Sequence, residues 1–309
     1  MSNVVNLKDA GARAGARPGS NSEPLLRTSA DGITTLTLNR PTRANALSRD
    51  LIAQLTDAFS SLGADPETRV IVLAATGAAF CAGHDLKELT GRRDDADRGR
   101  AFFSDTMTAC AALMQAIVSC PKPVVAAVHS TATAAGCQLV ATCDLAVAAE
   151  SAGFCTPGVD IGLFCSTPMV ALSRNVAAKH AMEMLLTGEM VSADTAREIG
   201  LVNRVVPDGD VLNEAQELAA KIARKPSATV ATGKAAFYRQ RELPLADAYM
   251  YAAEVMVENM LHADACEGIG AFLERRPPSW ERAAADTDEH DDASDGASDV
   301  APTPDDPRD

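Results

Sequence analysis

Between residues 33 and 207, short apolar runs alternate with helical stretches, and after Pro207 the apolar runs stop. The runs are ITTLTLNR (33–40), VIVLAAT (70–76), PVVAAVHS (123–130), DLAVAAE (144–150) and NRVVP (203–207), each about the length of a β-strand. Between the first two lies SRDLIAQLTDAFSSLGAD (48–65), where Leu51, Leu55, Ala58, Phe59 and Leu62 recur at helical spacing. Ser48 reads as its N-cap and Gly63 as its stop. Strand, helix, strand in repetition predicts an α/β fold with largely parallel pairing, because parallel neighbours need a long crossover. Beyond Pro207, residues 210–224, 227–241, 245–262 and 264–274 read as consecutive helices, broken near Pro226, Pro244 and Ala263. The stripe Ala248, Tyr251, Ala252, Val255, Met256 and Asn259 suits packing on the core or on another subunit equally well.

Charge is distributed unevenly. The chain carries −14, but from Ala283 onward ten acidic residues face only Arg308, which leaves −5 for everything before the tail. A mildly acidic body without a basic stripe excludes a nucleic-acid footprint. The tail 281–309 and the segment 1–24 lack the apolar residues needed to offset the entropy of ordering, so both read as disordered. Between them lie a core over 25–207 and a helical region over 208–280. Arg13 and Arg17 suggest a transit peptide, whereas Asp9, Glu23 and weak amphipathicity argue against one. The richest apolar stretch, 123–149, contains His129, Gln138 and Asp144, so no membrane span is expected. Eight dispersed cysteines without a C-x-x-C pair read as small, reduced core residues, with neither metal nor disulfide framework, and point to the cytoplasm.

Two stretches carry the chemistry, AFCAGHDLKEL (79–89) and AAGCQLVATCD (134–144). Each places small residues on a bend entering a helix, where backbone N–H groups lack intrahelical partners. Two such bends facing one another would make an oxyanion hole, a pair of donors waiting for negative charge on a carbonyl oxygen.

With LNRPTRANAL (38–47), the long block 122–164 and MLLTGEMVSADTAREIGLVNRVVP (184–207), these stretches make residues 25–280 resemble the crotonase, or enoyl-CoA hydratase/isomerase, superfamily. GHDL, ATAAGCQLVA and TPGVDIGLFCSTP are especially similar to its enoyl-CoA hydratase domain-containing protein 3 subgroup. The resemblance implies a spiral of ββα repeats, C-terminal helices that assemble homotrimers or hexamers, and an acyl-CoA thioester as substrate, with coenzyme A part of that substrate and no separate cofactor. Carried over residue by residue, the oxyanion donors would be the backbone N–H groups of His84 and Ala135. The family commonly has Gly at the second, and the methyl of Ala135 would require an allowed φ. The backbone near Arg43 and Ala44 would meet the CoA adenine. Arg40 or Arg43 would approach phosphate, or simply be solvated surface charge. Lys234, Phe272 and Arg275 would also touch CoA, from the same subunit or across to a neighbouring one.

Hydration of an enoyl thioester needs an activated water and a proton for the α-carbon, work usually shared by two carboxylates. The hydratase pattern has them where this chain has Gln138 and Gly158. Gln orients a water but cannot take its proton, and Gly has no side chain. Each positioned acid or base contributes roughly 10²- to 10⁴-fold, against about 10²- to 10³-fold for an oxyanion donor. Such a site stabilises an enolate without efficiently making hydroxyacyl product. Decarboxylation of a malonyl-type ester, which needs no base, and acyl-CoA binding without turnover are the alternatives.

Substitutes are available but ordinary. Asp160 reads as a cap or turn ligand and Ser166 as a polar cap before Pro168. Asp85 reads as a capping carboxylate, Glu88 as first-turn surface charge and His129 as a satisfied core histidine. The His84 side chain suits proton transfer by its ordinary pKa, unless it points outward. Cys137 and Cys165 flank the pocket without an adjacent base to mark a nucleophile.

Overall fold

The strand-like runs become the central sheet of the protein, seen here in a computed structural model that describes residues 23–280. The expectations for 1–22 and 281–309 lie outside the described residues. The sheet has six strands in the order β1-β2-β3-β5-β7-β10. They are β1 (Leu25–Ala30), β2 (Ile33–Leu38), β3 (Val70–Ala75), β5 (Val124–Val128), β7 (Leu145–Ala149) and β10 (Arg204–Val206). All neighbours are parallel except β1, which forms a hairpin with β2. The register pairs Leu36 with Leu73 and Leu73 with Ala126, so apolar side chains line up across the sheet. Strand β5 is buried throughout and β3 along all but its last residue, the signature of a sheet covered on both faces.

A second sheet was not legible in the sequence. Its strands β4 (Ala79–Cys81), β6 (Thr131–Thr133), β8 (Gly153–Cys155) and β9 (Val191–Ser192) are two or three residues long. Each of the first three follows a strand of the large sheet and precedes helical structure: β3–β4, β5–β6 and β7–β8 are successive turns of one spiral. The helices α1 (Arg49–Ala64), α2 (Leu86–Thr90), α3 (Arg100–Ser119) and α4 (Ala135–Thr142) belong to these turns. Helix α1 starts as expected, with Ser48 accepting from Leu51 N–H at 3.3 Å, but runs through Gly63 to Ala64. Helix α3 is long and apolar enough for a membrane span by length and composition alone. It lies against α1 and buries Thr106, Cys110, Leu113, Met114 and Ile117 on that side.

The remaining helices are α5 (Pro168–Asn175), α6 (Ala178–Thr187), α7 (Ala193–Glu198), α8 (Val211–Ala223), α9 (Ser227–Gln240), α10 (Leu245–Leu261) and α11 (Ala263–Glu274). Helix α8 buries Val211, Ala215, Ala219 and Ala223, one side at a four-residue spacing, and lies across β2, β3, β5 and β7. The sheet core therefore extends into the first of the C-terminal helices. Helix α10 packs on α9 and α11 with Ala248, Tyr251, Val255 and Asn259 half-buried, while Met256 and the rest of its apolar surface stay exposed.

Candidate active site

The two glycine-containing bends meet backbone to backbone. The first leaves β4 and enters α2, and neighbouring main chain holds it. Ala82 N–H donates to Ala44 O at 3.0 Å, Leu47 N–H to Gly83 O at 2.8 Å and Asp85 N–H to Leu47 O at 3.1 Å. The second leaves β6 and enters α4, anchored by Ala134 N–H to Cys155 O at 2.9 Å. Gly83, at φ +88°, lies so close that an added Cβ would be 2.9 Å from Ala134 Cβ and 3.2 Å from Ala135 N. At Gly136 a Cβ would stand 2.1 Å from the carbonyl oxygen of Cys81. Glycine is required at both places, for conformation and for space at the first and for space at the second. Among the described residues, the N–H groups of His84, Ala135 and Gly136 donate to no acceptor, as the start of a helix dictates for the latter two.

The expected strain at Ala135 falls one residue earlier. Ala135 is the first residue of α4, whereas Ala134 carries φ +50° and ψ −118°, a conformation natural to glycine. Holding an alanine there costs of order 1–3 kcal/mol, met by the bond to Cys155 and by close packing.

Gln138 sits one turn into α4, with 4% of its surface exposed. Its Oε1 is buried and has no hydrogen-bond partner. Gly158, in the 3₁₀ turn Pro157–Ile161, is buried against the next loop: an added Cβ would be 2.7 Å from Leu163 O and 2.9 Å from Cys165 Sγ. The thiol of Cys165 thus fills the place where a longer residue 158 would begin, and it accepts from Gly158 N–H. Asp160 is exposed and makes no hydrogen bond among the described residues, so the turn-ligand reading does not hold. Ser166 is also exposed. It donates to Phe164 O at 3.3 Å and does not cap α5, whose N-cap is Thr167.

The imidazole of His84 turns inward, with Nε2 buried and unpartnered. Burial holds its pKa below the ordinary value and keeps the ring neutral. Asp85 caps α2 through Glu88 N–H. Glu88 does more than expected for surface charge, accepting from Arg49 N–H at 3.0 Å at the start of α1. His129 is satisfied on one side only: Nε2 pairs with Gly77 O at 2.9 Å, while Nδ1 is buried without a partner. Burial raises the pKa of Cys137 and Cys165, so both are thiols rather than nucleophilic thiolates.

The residues expected to meet CoA divide. Arg40 is neither free for phosphate nor solvated surface charge. It is paired with Asp85 at 3.2 Å and donates to Ala46 O, tying its loop to the first bend. Arg43 is exposed, and Ala44 adopts φ +48° with its carbonyl engaged by Ala82 N–H. Lys234 is corrected outright. Its Nζ donates to Asp144 Oδ2 at 2.7 Å and to the carbonyls of Ile117 and Lys122 at 3.0 Å, with 6% of the side chain exposed. A cation held by three oxygens in the core has no donor left for a ligand. Phe272 and Arg275 are exposed on and just after α11.

One organising residue was missed. Asn45, fully buried at φ +52°, accepts from Arg40 N–H at 2.8 Å and donates to Thr76 O and Ala79 O at 2.7 and 2.8 Å. It fastens the loop after β2 to the entry of the first bend. An asparagine in a polar turn was the available signal, since Asn tolerates the left-handed region.

Comparison with known proteins agrees with this architecture. Residues 28–283 match the Enoyl-CoA hydratase/isomerase family. The chain is 45% identical over 268 residues to enoyl-CoA hydratase domain-containing protein 3, mitochondrial, of Rattus norvegicus, covering 86% of this chain and 88% of the rat protein. A crystal structure of an enoyl-CoA hydratase from Mycobacterium smegmatis superposes with a TM-score of 0.80 at 51% identity, covering 84% of this chain and all of the other. The crystal structure of human enoyl-CoA hydratase domain-containing protein 3 does so at 0.79 and 42% identity, with the same coverage. The expected cytoplasmic location is corrected by the relatives: the rat, frog, mouse and human proteins, 42–46% identical, are named mitochondrial. Seven of the eight cysteines are buried free thiols and Cys266 is exposed rather than in the core; free thiols are compatible with any reducing compartment and never distinguished one from another. With the match spanning most of its length and the spiral core in place, the chain belongs to the enoyl-CoA hydratase/isomerase family.

Proposed function

We propose that this chain is an acyl-CoA thioester-processing enzyme that holds an enolate between the backbone N–H groups of His84 and Ala135, without the two carboxylates that make hydration fast. The observation that carries this reading is the contact of the two bends, with Gly83 against Ala134–Ala135 and unengaged N–H groups on both sides. Coenzyme A enters as part of the substrate. Gln138 and Gly158 supply no carboxylate at the two positions where the hydratase pattern has one, and the buried, neutral imidazole of His84 stands on the first bend itself.

Crotonyl-CoA, followed by loss of its conjugated absorbance, tests the claim directly. The expected result is acyl-CoA binding with hydration at least about 10²-fold slower than in a relative with both carboxylates. Hydration at that relative's rate would overturn the reading of the missing acids, and absence of acyl-CoA binding would overturn the rest. Release of CO₂ from methylmalonyl-CoA would assign the base-independent reaction.

The active unit is a homotrimer or hexamer. Leu245, Tyr249, Met250, Val257 and Leu261 of α10 are 57–76% exposed, and Phe272 and Leu273 of α11 are 79% and 74% exposed. Apolar faces this extensive need covering. Light scattering coupled to size exclusion reads the stoichiometry, and a monomer would refute it.

A further inference from the structure

The net charge of −5 before the tail conceals one basic stretch: residues 218–241 hold six cations and no acid. The expectation of a body without a basic stripe holds for the average and fails here. Where α8 gives way to α9, Lys225 shares a small cleft with Arg69, which precedes β3, and Lys122, which precedes β5. Lys221 and Arg224 are exposed in the turn just before Lys225. The nearby carboxylates Asp65 and Asp144 are engaged elsewhere, by Arg27 at 3.2 Å and by Lys234 at 2.7 Å. That leaves Glu67 and Glu217 as sequence neighbours of five cations. Among the described residues Arg69, Lys122, Lys221 and Arg224 form no ion pair, and Arg69 Nε is buried without an acceptor. A positive face of this kind lacks its counter-charge. It lies at the N-terminal ends of β3 and β5, whereas the two bends of the candidate active site follow their C-terminal ends.

We infer that the acidic run 286–295 of the chain's own C-terminal tail docks on this basic face. Six of its ten residues are acids: Asp286, Asp288, Glu289, Asp291, Asp292 and Asp295. The described chain ends at Trp280, which is seated against Gly268 of α11. Helix α11 lies on α10 and α10 on α9, and packed helices stand about 8–10 Å apart, so two steps cover about 20 Å. From Trp280 to the run is a stretch of roughly 6–15 residues, which spans up to about 20–50 Å at about 3.3 Å each. Tethering holds the run at about millimolar local concentration, so weak ion pairs suffice to fill the face. A separate polyanion, nucleic acid or an anionic membrane, lacks that tether and meets a chain of net charge −14. Docked there, the tail covers the basic face and leaves the candidate active site open.

The test is zero-length carbodiimide cross-linking of the full chain, which joins a carboxylate to a lysine in direct contact, with the sites mapped by peptide mass spectrometry. The expected result is cross-links from 286–295 to Lys122, Lys221 or Lys225 at about fivefold or more over the exposed Lys87 and Lys179. They disappear in about 1 M salt, where the Debye length is about 3 Å. In Arg224→Glu, an exposed change that leaves the melting temperature in place, cross-links to Lys122 and Lys225 fall several-fold. Cross-links spread evenly over all five lysines, their absence, their survival in high salt, or an unchanged yield in Arg224→Glu overturns the inference. So do cross-links of mixed mass alone when labelled and unlabelled chains are combined, since the run then binds another copy. Acyl-CoA turnover plays no part in any of these outcomes.

Discussion

Replacing Gly136 by Ala tests the contact on which the site is built. A Cβ there would stand 2.1 Å from the carbonyl oxygen of Cys81 and 2.8 Å from its carbonyl carbon and Cβ. Close C···O contacts in proteins begin near 3.3 Å, so the start of α4 must lift from β4 by about 1 Å. Both partners are main chain in paired structure, and no flexible side chain can yield. Overpacking of this kind costs about 1–3 kcal/mol, and the better helix propensity of Ala returns at most about 1 kcal/mol. For a net cost of about 2 kcal/mol and a Tm response of about 2–4 °C per kcal/mol at this size, the melting temperature falls by roughly 4–8 °C. Displacing the Ala135 N–H by 1 Å also weakens any reaction through it by about 10²-fold. Differential scanning fluorimetry reads the first effect and turnover of the best acyl-CoA substrate the second. Gly233, in α9 with nothing within 4 Å of an added Cβ, is the control, where Ala stabilises by about 0.5–1 kcal/mol. An unchanged Tm and unchanged turnover in Gly136→Ala would refute the argument that backbone closure positions the site.

Gly158→Ala destabilises by about 1–3 kcal/mol in urea titration, because Leu163 O and Cys165 Sγ occupy the space of its Cβ. For the same reason Gly158→Glu, added to Gln138→Glu, does not restore hydration to crotonyl-CoA without rebuilding the loop. Lys234→Met leaves the half-buried Asp144 without its cation and with only Val124 N–H and Tyr238 O–H as donors, costing about 1.5–3 kcal/mol in chemical denaturation, while the acyl-CoA Kd of the folded protein stays unchanged. Below the ordinary imidazole pKa of about 6.5, unfolded chains take up a proton that the buried His84 ring resists. Stability therefore falls as pH drops through that value, and the fall is smaller in His84→Asn when urea midpoints are compared on either side of it.

Five of the six strands of the large sheet, helix α1 and the four C-terminal helices α8–α11 were legible in the sequence because their signals are local. VIVLAAT and PVVAAVHS are apolar up to their last one or two residues and became strands covered on both faces, and SRDLIAQL carried both its cap and its periodicity. Losing both carboxylates is likewise a matter of residue identity, visible at Gln138 and Gly158 without coordinates.

Tertiary structure alone decided the rest. Strands of two or three residues carry too few side chains for alternation to show, so β4, β6, β8 and β9 emerge only through pairing with partners far along the chain. Lys234 offers a generic cation in the sequence; the three oxygens that hold it come from residues 90 to 117 positions away. Residue type says that Gln138 can form hydrogen bonds, and only the packing around it leaves its carbonyl without one. Propensity and periodicity act between neighbours along the chain, whereas pairing, space and satisfaction are properties of groups that meet only after folding.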